Sequence, residues 1–350
     1  MREPADERVA GLTRSCSGVP ARPQRGMAVV SVLLIVAIIA ILAAGLMATQ
    51  ATAIHTAQSE QSRAQARWLL RGEVARAQAA LYQEMRQTPS TRLDGLWNRP
   101  VVGRVVGQFD GGVAQVYSEI TDEQSKFNLR NLVSGGQVDA DEAESFLRLC
   151  ALIGLPQDQA MRVARRVVLS LVEASRTDGQ VAPRTPAQIE EEKRAQAAAE
   201  QLGIATLPTR EQAPRLRTLD DLVAVPGIER GTVEGLRPYV TILPHRTRLN
   251  ANTTRPEVLA ATIPGLSLDR ARALLQARDS GQWFLHRGDF INRLQMRDMV
   301  SSAQVRVGVT SRWYRYSGAL RTPRHTLLMQ ALIHDDKQVL PQVVWLREGA

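Results

Sequence analysis

Histidine, cysteine and paired carboxylates, the side chains that most often do chemistry, form no catalytic or metal-binding motif in this sequence. The five histidines lack the spacing of a metal site, and no phosphate-binding loop or GxSxG motif is present. Two cysteines are too few for a disulfide framework, and Cys150 lies in an apolar run that predicts a small buried hydrophobe. The pair Asp335-Asp336 is expected in a hairpin turn. We therefore expect neither catalytic residues nor a metal site.

Two Pro-Gly turns have the sequence pattern of a phosphate-binding hairpin. They lie at 225–228 (VPGI) and 263–266 (IPGL), and each follows a Thr-x-x-[Asp/Glu] pattern that predicts a capping box, at Thr218–Asp221 and Thr254–Glu257. The two stretches resemble helix-hairpin-helix, or SAM-like, repeats. In such a hairpin, backbone N–H groups at a helix N-terminus can bind a DNA phosphate.

The residues after the hairpins argue against DNA. A phosphate-binding hairpin usually has a second Gly there, whereas this chain has Glu229 and Ser267. The carboxylate of Glu229 would repel a phosphate. The net charge of +9 and the pI near 10.3 permit nucleic acid or anionic lipid as a partner, but a high genomic GC content also produces such an arginine bias. A helical scaffold that uses the hairpins as turns is the favoured interpretation, so no nucleic acid partner is expected.

The strongest physical signal is an apolar run at the N-terminus. Residues 27–48 contain no charge, and as a helix they would span about 33 Å, enough to cross a bilayer. Arg22 and Arg25 come just before the run, so the positive-inside rule places the N-terminus in the cytoplasm and residues 49–350 on the other side.

The helical pattern continues beyond the apolar run, through residues 54–86, until Pro89. Apolar residues recur every three or four positions and predict one helix face that packs on the rest of the protein: Leu70, Val74, Ala77, Leu81 and Met85. One helix is thus predicted from about residue 27 to about residue 86.

Strand patterns lie on both sides of a helical block. They are predicted at 113–120, 305–310, 313–320, 326–334 and 339–346, and a Pro-rich segment, 176–218, is expected to hold a short solvated helix at 187–202. The expected fold class is α+β. A long N-terminal transmembrane and amphipathic helix would pack on a small antiparallel sheet, and a large helical SAM-like, helix-hairpin-helix insertion would interrupt the chain.

The N-terminus resembles that of a type IV prepilin, in which a basic leader precedes an apolar helix. In that family a prepilin peptidase cuts after a Gly and methylates the next residue, and the matching positions are Gly26 and Met27. The fifth mature position, usually Glu, is Ser31 here. In the family that Glu is thought to meet the N-terminal amine of the subunit ahead, so its absence suits the first subunit, at the tip. The alternative to a prepilin N-terminus is a plain signal anchor. The alternative explanation of Ser31 is ordinary sequence drift at an apolar position.

Two further motifs resemble the type II secretion minor pseudopilin of the K kind (general secretion pathway protein K). One is an acidic-polar lead into Phe-Asn-Leu-x-Asn-Leu, and the other is an Asn-x-Asn-Thr run. Their matching residues here are Phe127, Asn128, Leu129, Asn131, Leu132, Asn250, Asn252 and Thr253. The family often has an Asp-rich run after its first helical segment, where this chain has only Glu173 and Asp178.

The resemblance implies a minor pseudopilin at the tip of the pseudopilus, which starts its assembly and limits its length. Implied partners are minor pseudopilins of the I, J and H kinds, the prepilin peptidase and the inner membrane, with the body in the periplasm. Members of the family can bind calcium, but no ligands could be assigned here. The expected domains are a leader, 1–26; the helix and first part of the body, 27–121; the helical insertion, 122–303, divided at about 240; and the C-terminal strands, 304–350.

Two rival functions come from other classes. The first is a membrane-anchored helix-hairpin-helix DNA-binding protein that faces the periplasm, which predicts salt-dependent duplex binding by residues 214–300. The second is a signal-anchored periplasmic enzyme, whose weakness is the missing catalytic set.

Overall fold

The computed structural model describes residues 25–109, 112–171, 185–204, 214–296 and 305–349. The side chains of residues 25–27, 51 and 55 also lie outside the description. The expectations for the leader up to residue 24, and for Glu173 and Asp178, therefore fall outside it. Contacts divide the chain after Gln61 into two units, which are described separately.

The first unit is the N-terminal part of helix α1, which runs over Arg25–Gln87. Its large apolar side chains between Val29 and Met47 are all 48–71% exposed. An 18-residue window of this helix has a mean hydropathy of 3.1, so the helix is long and apolar enough to cross a membrane. Exposed apolar surface of this extent needs a nonpolar environment or a partner.

The second unit, residues 62–349 as described, contains the rest of α1, a sheet and a helical part. Its further helices are α2 (Ala140–Leu152), α3 (Gln157–Leu171), α4 (Pro186–Gln201), α5 (Arg230–Leu236), α6 (Pro256–Thr262), α7 (Leu268–Asp279) and α8 (Arg287–Leu294). Its strands are β1 (Val101–Phe109), β2 (Gly112–Asp122), β3 (Phe127–Asn128), β4 (Val133–Ser134), β5 (Gln137–Val138), β6 (Val240–Thr241), β7 (Leu249–Asn250), β8 (Val307–Gly308), β9 (Trp313–Arg321), β10 (Thr326–His334) and β11 (Gln342–Gly349).

The main sheet is antiparallel, with the strand order β1-β2-β9-β10-β11. The chain leaves the sheet at the end of β2 and returns at the start of β9, and Asp122 is the register partner of Tyr314 there. The whole helical part, residues 123–312, thus enters and leaves between two neighbouring strands. The α+β class expected from the sequence is confirmed.

Helix α1 packs across this sheet through the stripe that its periodicity marked. Leu70, Val74, Ala77 and Leu81 are buried, whereas Met85, at the end of the stripe, is only half-buried. The sheet contributes alternate inward-facing side chains to the same core: Ala114, Val116, Tyr314, Tyr316, Leu320, Met329, Ala331 and Ile333. Burial of one large apolar side chain contributes about 1.5–3 kcal/mol, so this stripe fixes the helix on the sheet.

The helical part has its own core of aliphatic and aromatic side chains, which extends from Phe127 to Val309. Helix α4 was expected to be solvated, and that expectation is wrong for one of its faces. Ala195, Ala198 and Ala199 are buried. Small side chains allow the helix to lie close on its neighbours, which a count of its charged residues does not indicate.

Two other local expectations are also wrong. No capping box forms at Thr254–Glu257, because α6 begins with Pro256 and Arg255 is its N-cap residue. Glu257 is therefore the second helical residue, and a capping box requires the third. The last strand begins at Gln342 rather than at 339, because Asp336 Oδ1 accepts hydrogen bonds from the N–H groups of Gln338 and Val339 in a turn.

Candidate functional site

The residues of the expected motifs meet at the junction between the sheet and the helical part. Asp122, the last residue of β2, is only 2% exposed. Its Oδ1 accepts a hydrogen bond from the backbone N–H of Gln124 at 2.8 Å. Its Oδ2 accepts from Thr253 Oγ1 at 2.5 Å and from Ser311 Oγ at 2.6 Å.

Asn250 completes this cluster. Its Nδ2 lies 3.2 Å from Asp122 Oδ2, 2.8 Å from Ser311 Oγ and 3.3 Å from the carbonyl oxygen of Thr91, and its two hydrogens are shared among these three acceptors. Burial raises the pKa of Asp122 above its ordinary value, and the four hydrogen bonds only partly oppose that shift. The cluster joins the segment after α1, the end of β2 and the Asn-x-Asn-Thr run through neutral donors.

Glu123 lies next to Asp122 in the chain and has a different environment. It is fully buried, and Arg315 binds it in a bidentate manner, with Nε 3.0 Å from Oε1 and Nη2 3.2 Å from Oε2. Lys126 Nζ donates to Oε1 at 2.9 Å, and the Thr241 hydroxyl donates to Oε2. Burial alone would raise the pKa of Glu123, but Lys126 and Arg315 outweigh it and lower the pKa to about 2.

The asparagines of the first motif act as clamps on a distant loop. Asn128 Nδ2 donates to the carbonyl oxygen of His245 at 2.8 Å, and Asn128 Oδ1 accepts from the N–H of Leu243 at 3.2 Å. Asn131 makes a reciprocal pair with the backbone of Thr247, at 2.9 and 3.0 Å. The apolar members of the motif, Phe127, Leu129 and Leu132, are buried in the core of the helical part.

Asn252 makes a similar reciprocal pair with the backbone of Phe284. Its Nδ2 donates to the carbonyl oxygen of Phe284 at 2.9 Å, and its Oδ1 accepts from the N–H of Phe284 at 2.9 Å. The motif asparagines thus satisfy backbone groups of loops that have no strand to pair with. Their geometry is that of a scaffold, because each side chain is committed inside the protein.

A third buried carboxylate, Glu142, lies where α2 meets the segment before β8. It is 3% exposed, and Arg306 Nη1 lies 3.1 Å from its Oε1. Arg306 also pairs with Asp139, at 2.7 Å. Burial raises the pKa of Glu142 to about 7, with Arg306 opposing the shift and the nearby charge of Asp139 adding to it.

Three residues of the junction were missed from the sequence, because no motif contains them: Thr91, Ser311 and Tyr314. Asp122 and Gln124 belong to the acidic-polar lead before Phe127. The hydroxyl groups of Thr91 and Tyr314 lie 3.1 Å apart, and Thr91 Oγ1 accepts from the N–H of Ser311 at 3.0 Å. Such contacts join residues more than 200 positions apart, which no local pattern reveals.

The first hairpin has an internal partner where a phosphate would bind. Gly227 has a φ of 82°, so the turn requires the left-handed conformation that Gly adopts freely. The N–H of Glu229, at the start of α5, donates to Gln159 Oε1 at 3.4 Å. In the second hairpin, Ser267 caps α7 through a hydrogen bond from the N–H of Arg270. The amide of Gln159 and the hydroxyl of Ser267 therefore already occupy donors that a phosphate would need.

The positions predicted for processing and assembly lie on the N-terminal helix. Gly26, Met27 and Ser31 lie on α1, although the side chains of Gly26 and Met27 fall outside the description. The face of α1 that points away from the sheet carries Trp68, which is 70% exposed and has the guanidinium of Arg71 5.5 Å from its ring centre.

Within the described ranges, no group of three His, Cys, Asp or Glu side chains could hold a metal ion.

Comparison with known proteins identifies the family. Two models of the family described as type II secretion system protein K match residues 125–245 and 249–310, which together make up more than half of the chain. This chain belongs to the type II secretion system protein K family. The two matches contain the motifs that begin at Phe127 and at Asn250, so the resemblance stated from those residues is confirmed.

A curated relative and a solved structure agree with this family. The type II secretion system protein K of Pseudomonas aeruginosa is 27% identical over 280 residues, which cover 78% of each chain. The crystal structure of the GspK-GspI-GspJ complex from enterotoxigenic Escherichia coli contains a chain with a TM-score of 0.60 and 20% identity. The match covers 83% of this chain and 98% of that one, and it shows that the two share a fold.

Proposed function

We propose that this protein is the minor pseudopilin at the tip of the type II secretion pseudopilus, where it starts assembly and limits length. The observation that carries the proposal is the place of the helical part, residues 123–312, between β2 and β9. A helical shaft of stacked subunits leaves little room for an insertion of this size on every subunit. At an end of the fibre it has room.

Ser31 supports the same position independently. A carboxylate inside a bilayer is costly unless a cation pairs with it, and in pilins that cation is thought to be the N-terminal amine of the subunit ahead. A subunit without the carboxylate does not need a subunit ahead of it. Position 31 of this chain carries a hydroxyl.

The proposed topology follows from the apolar part of α1. The chain would cross the inner membrane once, with the N-terminus in the cytoplasm and the sheet and helical part in the periplasm, since Arg22 and Arg25 precede the apolar run. A prepilin peptidase would cut after Gly26 and methylate Met27. Minor pseudopilins of the I, J and H kinds are the proposed partners, in line with the complex that gives the related fold.

Mass spectrometry and N-terminal sequencing of the membrane-extracted protein test the processing step. We expect an N-terminus at methylated Met27 in cells with a prepilin peptidase, and an uncut chain without one. A cut elsewhere, or the same mass in both strains, would remove the pilin pathway.

The tip position is tested by Ser31→Glu, with Ser31→Ala as the matched control. A subunit at the tip has no amine ahead to neutralise the new carboxylate, so we expect S31E to lower recovery of the I and J pseudopilins with this protein, and to lower secretion. S31A should behave as the natural chain does. Normal assembly of S31E would indicate a position within the shaft.

A DNA-binding assay tests the alternative function. We expect no salt-dependent binding of duplex DNA at the hairpins, because Gln159 and Ser267 already occupy donors there. Tight duplex binding that is lost in Arg230→Gln, together with no copurifying pseudopilin, would replace the proposed function.

A further inference from the structure

A cleft in the second unit has a strongly cationic lining. It has a volume of about 820 Å³ and lies beside Pro89, just after the end of α1. None of its lining residues is Asp or Glu. Its lining includes these basic and imidazole side chains: His245, Arg248, His286, Arg287, Arg312 and His334.

One buried side chain, Gln124, contacts the backbone of two arginines of this cleft, Arg248 and Arg312. Gln124, which is 6% exposed, donates through Nε2 to the carbonyl oxygen of Arg248 at 3.0 Å. Its Oε1 accepts from the backbone N–H of Arg312 at 2.6 Å. The junction that holds the sheet to the helical part thus also joins the backbones of Arg248 and Arg312 at the cleft.

Two other cations of the lining, Arg246 and Lys337, are neutralised by carboxylates outside the lining. Arg246 pairs with Asp139 at 2.6 Å, and Lys337 pairs with the buried Asp335 at 2.6 Å. By contrast, no carboxylate of the described residues lies within the 4.0 Å of an ion pair from Arg248 or Arg312. Both side chains are exposed. The charge of Asp336 acts on Arg312 from beyond ion-pair distance, and both guanidinium groups stay accessible to a ligand.

Two imidazoles that contact the buried ring of Trp313 adjoin these two arginines. Trp313 is 5% exposed, and its ring centre lies 4.4 Å from that of His334 and 6.1 Å from that of His245. The imidazoles provide hydrogen-bond donors beside the two arginines. Carboxylates and backbone carbonyl groups can both accept such bonds.

We propose that this cleft binds an acidic peptide segment of another protein, with Arg248 and Arg312 as the groups that pair with its carboxylates. The volume lies within the range of about 300–1,000 Å³ that encloses ligands, far more than a single ion fills. Arginine binds carboxylates through two parallel hydrogen bonds, which gives both strength and direction. That the ligand is a protein rests on the proposed function, since a pseudopilus tip in the periplasm meets proteins.

Fluorescence anisotropy with a fluorescein-labelled octa-glutamate peptide tests the site on the full chain in detergent micelles. The test variant is Arg248→Gln with Arg312→Gln. The matched control is Arg272→Gln with Arg324→Gln, which removes the same charge from exposed positions outside the cleft. Arg324 lies in the β9–β10 turn, at the opposite end of those strands from Trp313 and His334.

We expect the test variant to bind the peptide at least tenfold more weakly than the natural chain, and the control to stay within about twofold. Both variants should keep the melting temperature, because they change exposed side chains. Equal losses in the two variants would mean that net charge alone attracts the peptide, and would overturn the site. Absence of binding to the natural chain would overturn it as well.

Two further measurements distinguish the peptide from other ligands, and this inference from the proposed function. If a labelled DNA duplex, or vesicles with anionic phospholipid, depend on Arg248 and Arg312 as strongly as the peptide does, the peptide assignment is wrong. Peptide binding and processing at Met27 are measured independently. Cleft binding with an uncut N-terminus would overturn only the proposed function, whereas a processed, assembled chain without cleft binding would overturn only this inference.

Discussion

Two neighbouring carboxylates at the junction, Asp122 and Glu123, are both buried and yet have opposite electrostatic surroundings. Asp122 accepts hydrogen bonds only from neutral groups, and its pKa is raised. Glu123 is held by Arg315 and Lys126, and its pKa is lowered to about 2. Burial acts on both in the same direction, so the difference comes from the partners alone.

This difference divides the work at the junction. The Asp122 cluster gathers loops that carry hydroxyl and amide groups, and it tolerates a neutral carboxyl because no cation depends on it. The Glu123 cluster joins β9 to the helical part by charge, so its arginine and lysine require the carboxylate. A buried pair of this kind is costly to break, because the remaining charge has no partner.

The largest expected effect is that of Glu123→Ala. The change leaves the largely buried groups of Arg315 and Lys126 without their carboxylate, which should lower the free energy of unfolding by about 3–5 kcal/mol. Guanidinium denaturation of the full chain in micelles, followed by tryptophan fluorescence, measures it. Glu119→Ala, on the exposed side of β2, is the matched control and should change stability by less than about 0.5 kcal/mol. A small effect of E123A would show that the ion pairs add little.

The next effect is a pH dependence that belongs to Glu123. Its pKa is about 2 in the folded protein against 4.5 for the ordinary group, so its stabilisation is present above pH 4.5 and is lost as the pH falls towards 2. That loss should amount to about 3 kcal/mol. Denaturation curves between pH 5 and pH 2 should show this loss in the natural chain and in Glu119→Gln, but not in Glu123→Gln. An identical acid limb in E123Q would contradict the assignment.

Asp122→Asn should have a smaller effect at neutral pH, about 1–3 kcal/mol. The amide replaces an acceptor by a donor, but the hydroxyls of Thr253 and Ser311 can rotate to accept, and no cation loses its partner. Because the pKa of Asp122 is raised in the folded protein, its contribution is greatest below pH 3.8 and decreases as the pH rises. D122N should therefore destabilise more at low pH than at pH 7. The reverse order would place an unrecognised cation near Asp122.

The smallest effect concerns Glu142, whose surroundings combine those of the other two. Its pKa is about 7 when folded, so its presence reduces stability as the pH rises from 4.5 through 7. The pKa of about 7 already includes the opposing attraction of Arg306, so Glu142→Gln removes a net cost and should raise the free energy of unfolding at pH 8 by on the order of 1 kcal/mol. The control is Glu144→Gln on the same helix, which is exposed and should change little. A destabilised E142Q at pH 8 would show that the Arg306 pair dominates.

The sequence predicted the long helix and four strands of the main sheet, because periodicity and turn residues are local properties. The face of α1 from Leu70 to Leu81 follows from apolar spacing, and the strands β2, β9 and β10 follow from β-type residues at strand spacing. The sequence did not predict β1, and the strand predicted at 305–310 is only two residues long. The boundaries that failed depend on single backbone groups. Pro256 shifts the start of α6 by one position, and the side chain of Asp336 takes the N–H groups that the predicted last strand would need.

The sequence by itself determined that one apolar helix precedes an α+β body, and that two asparagine motifs mark the family, because composition, period and short spacings are present in the chain before it folds. Only the tertiary structure decided what the motif side chains do. Thr253 and Ser311 reach Asp122, and Arg315 reaches Glu123, across separations of more than 100 residues. The pKa of a buried carboxylate depends on the groups that lie near it in space, and the tertiary structure determines which groups those are.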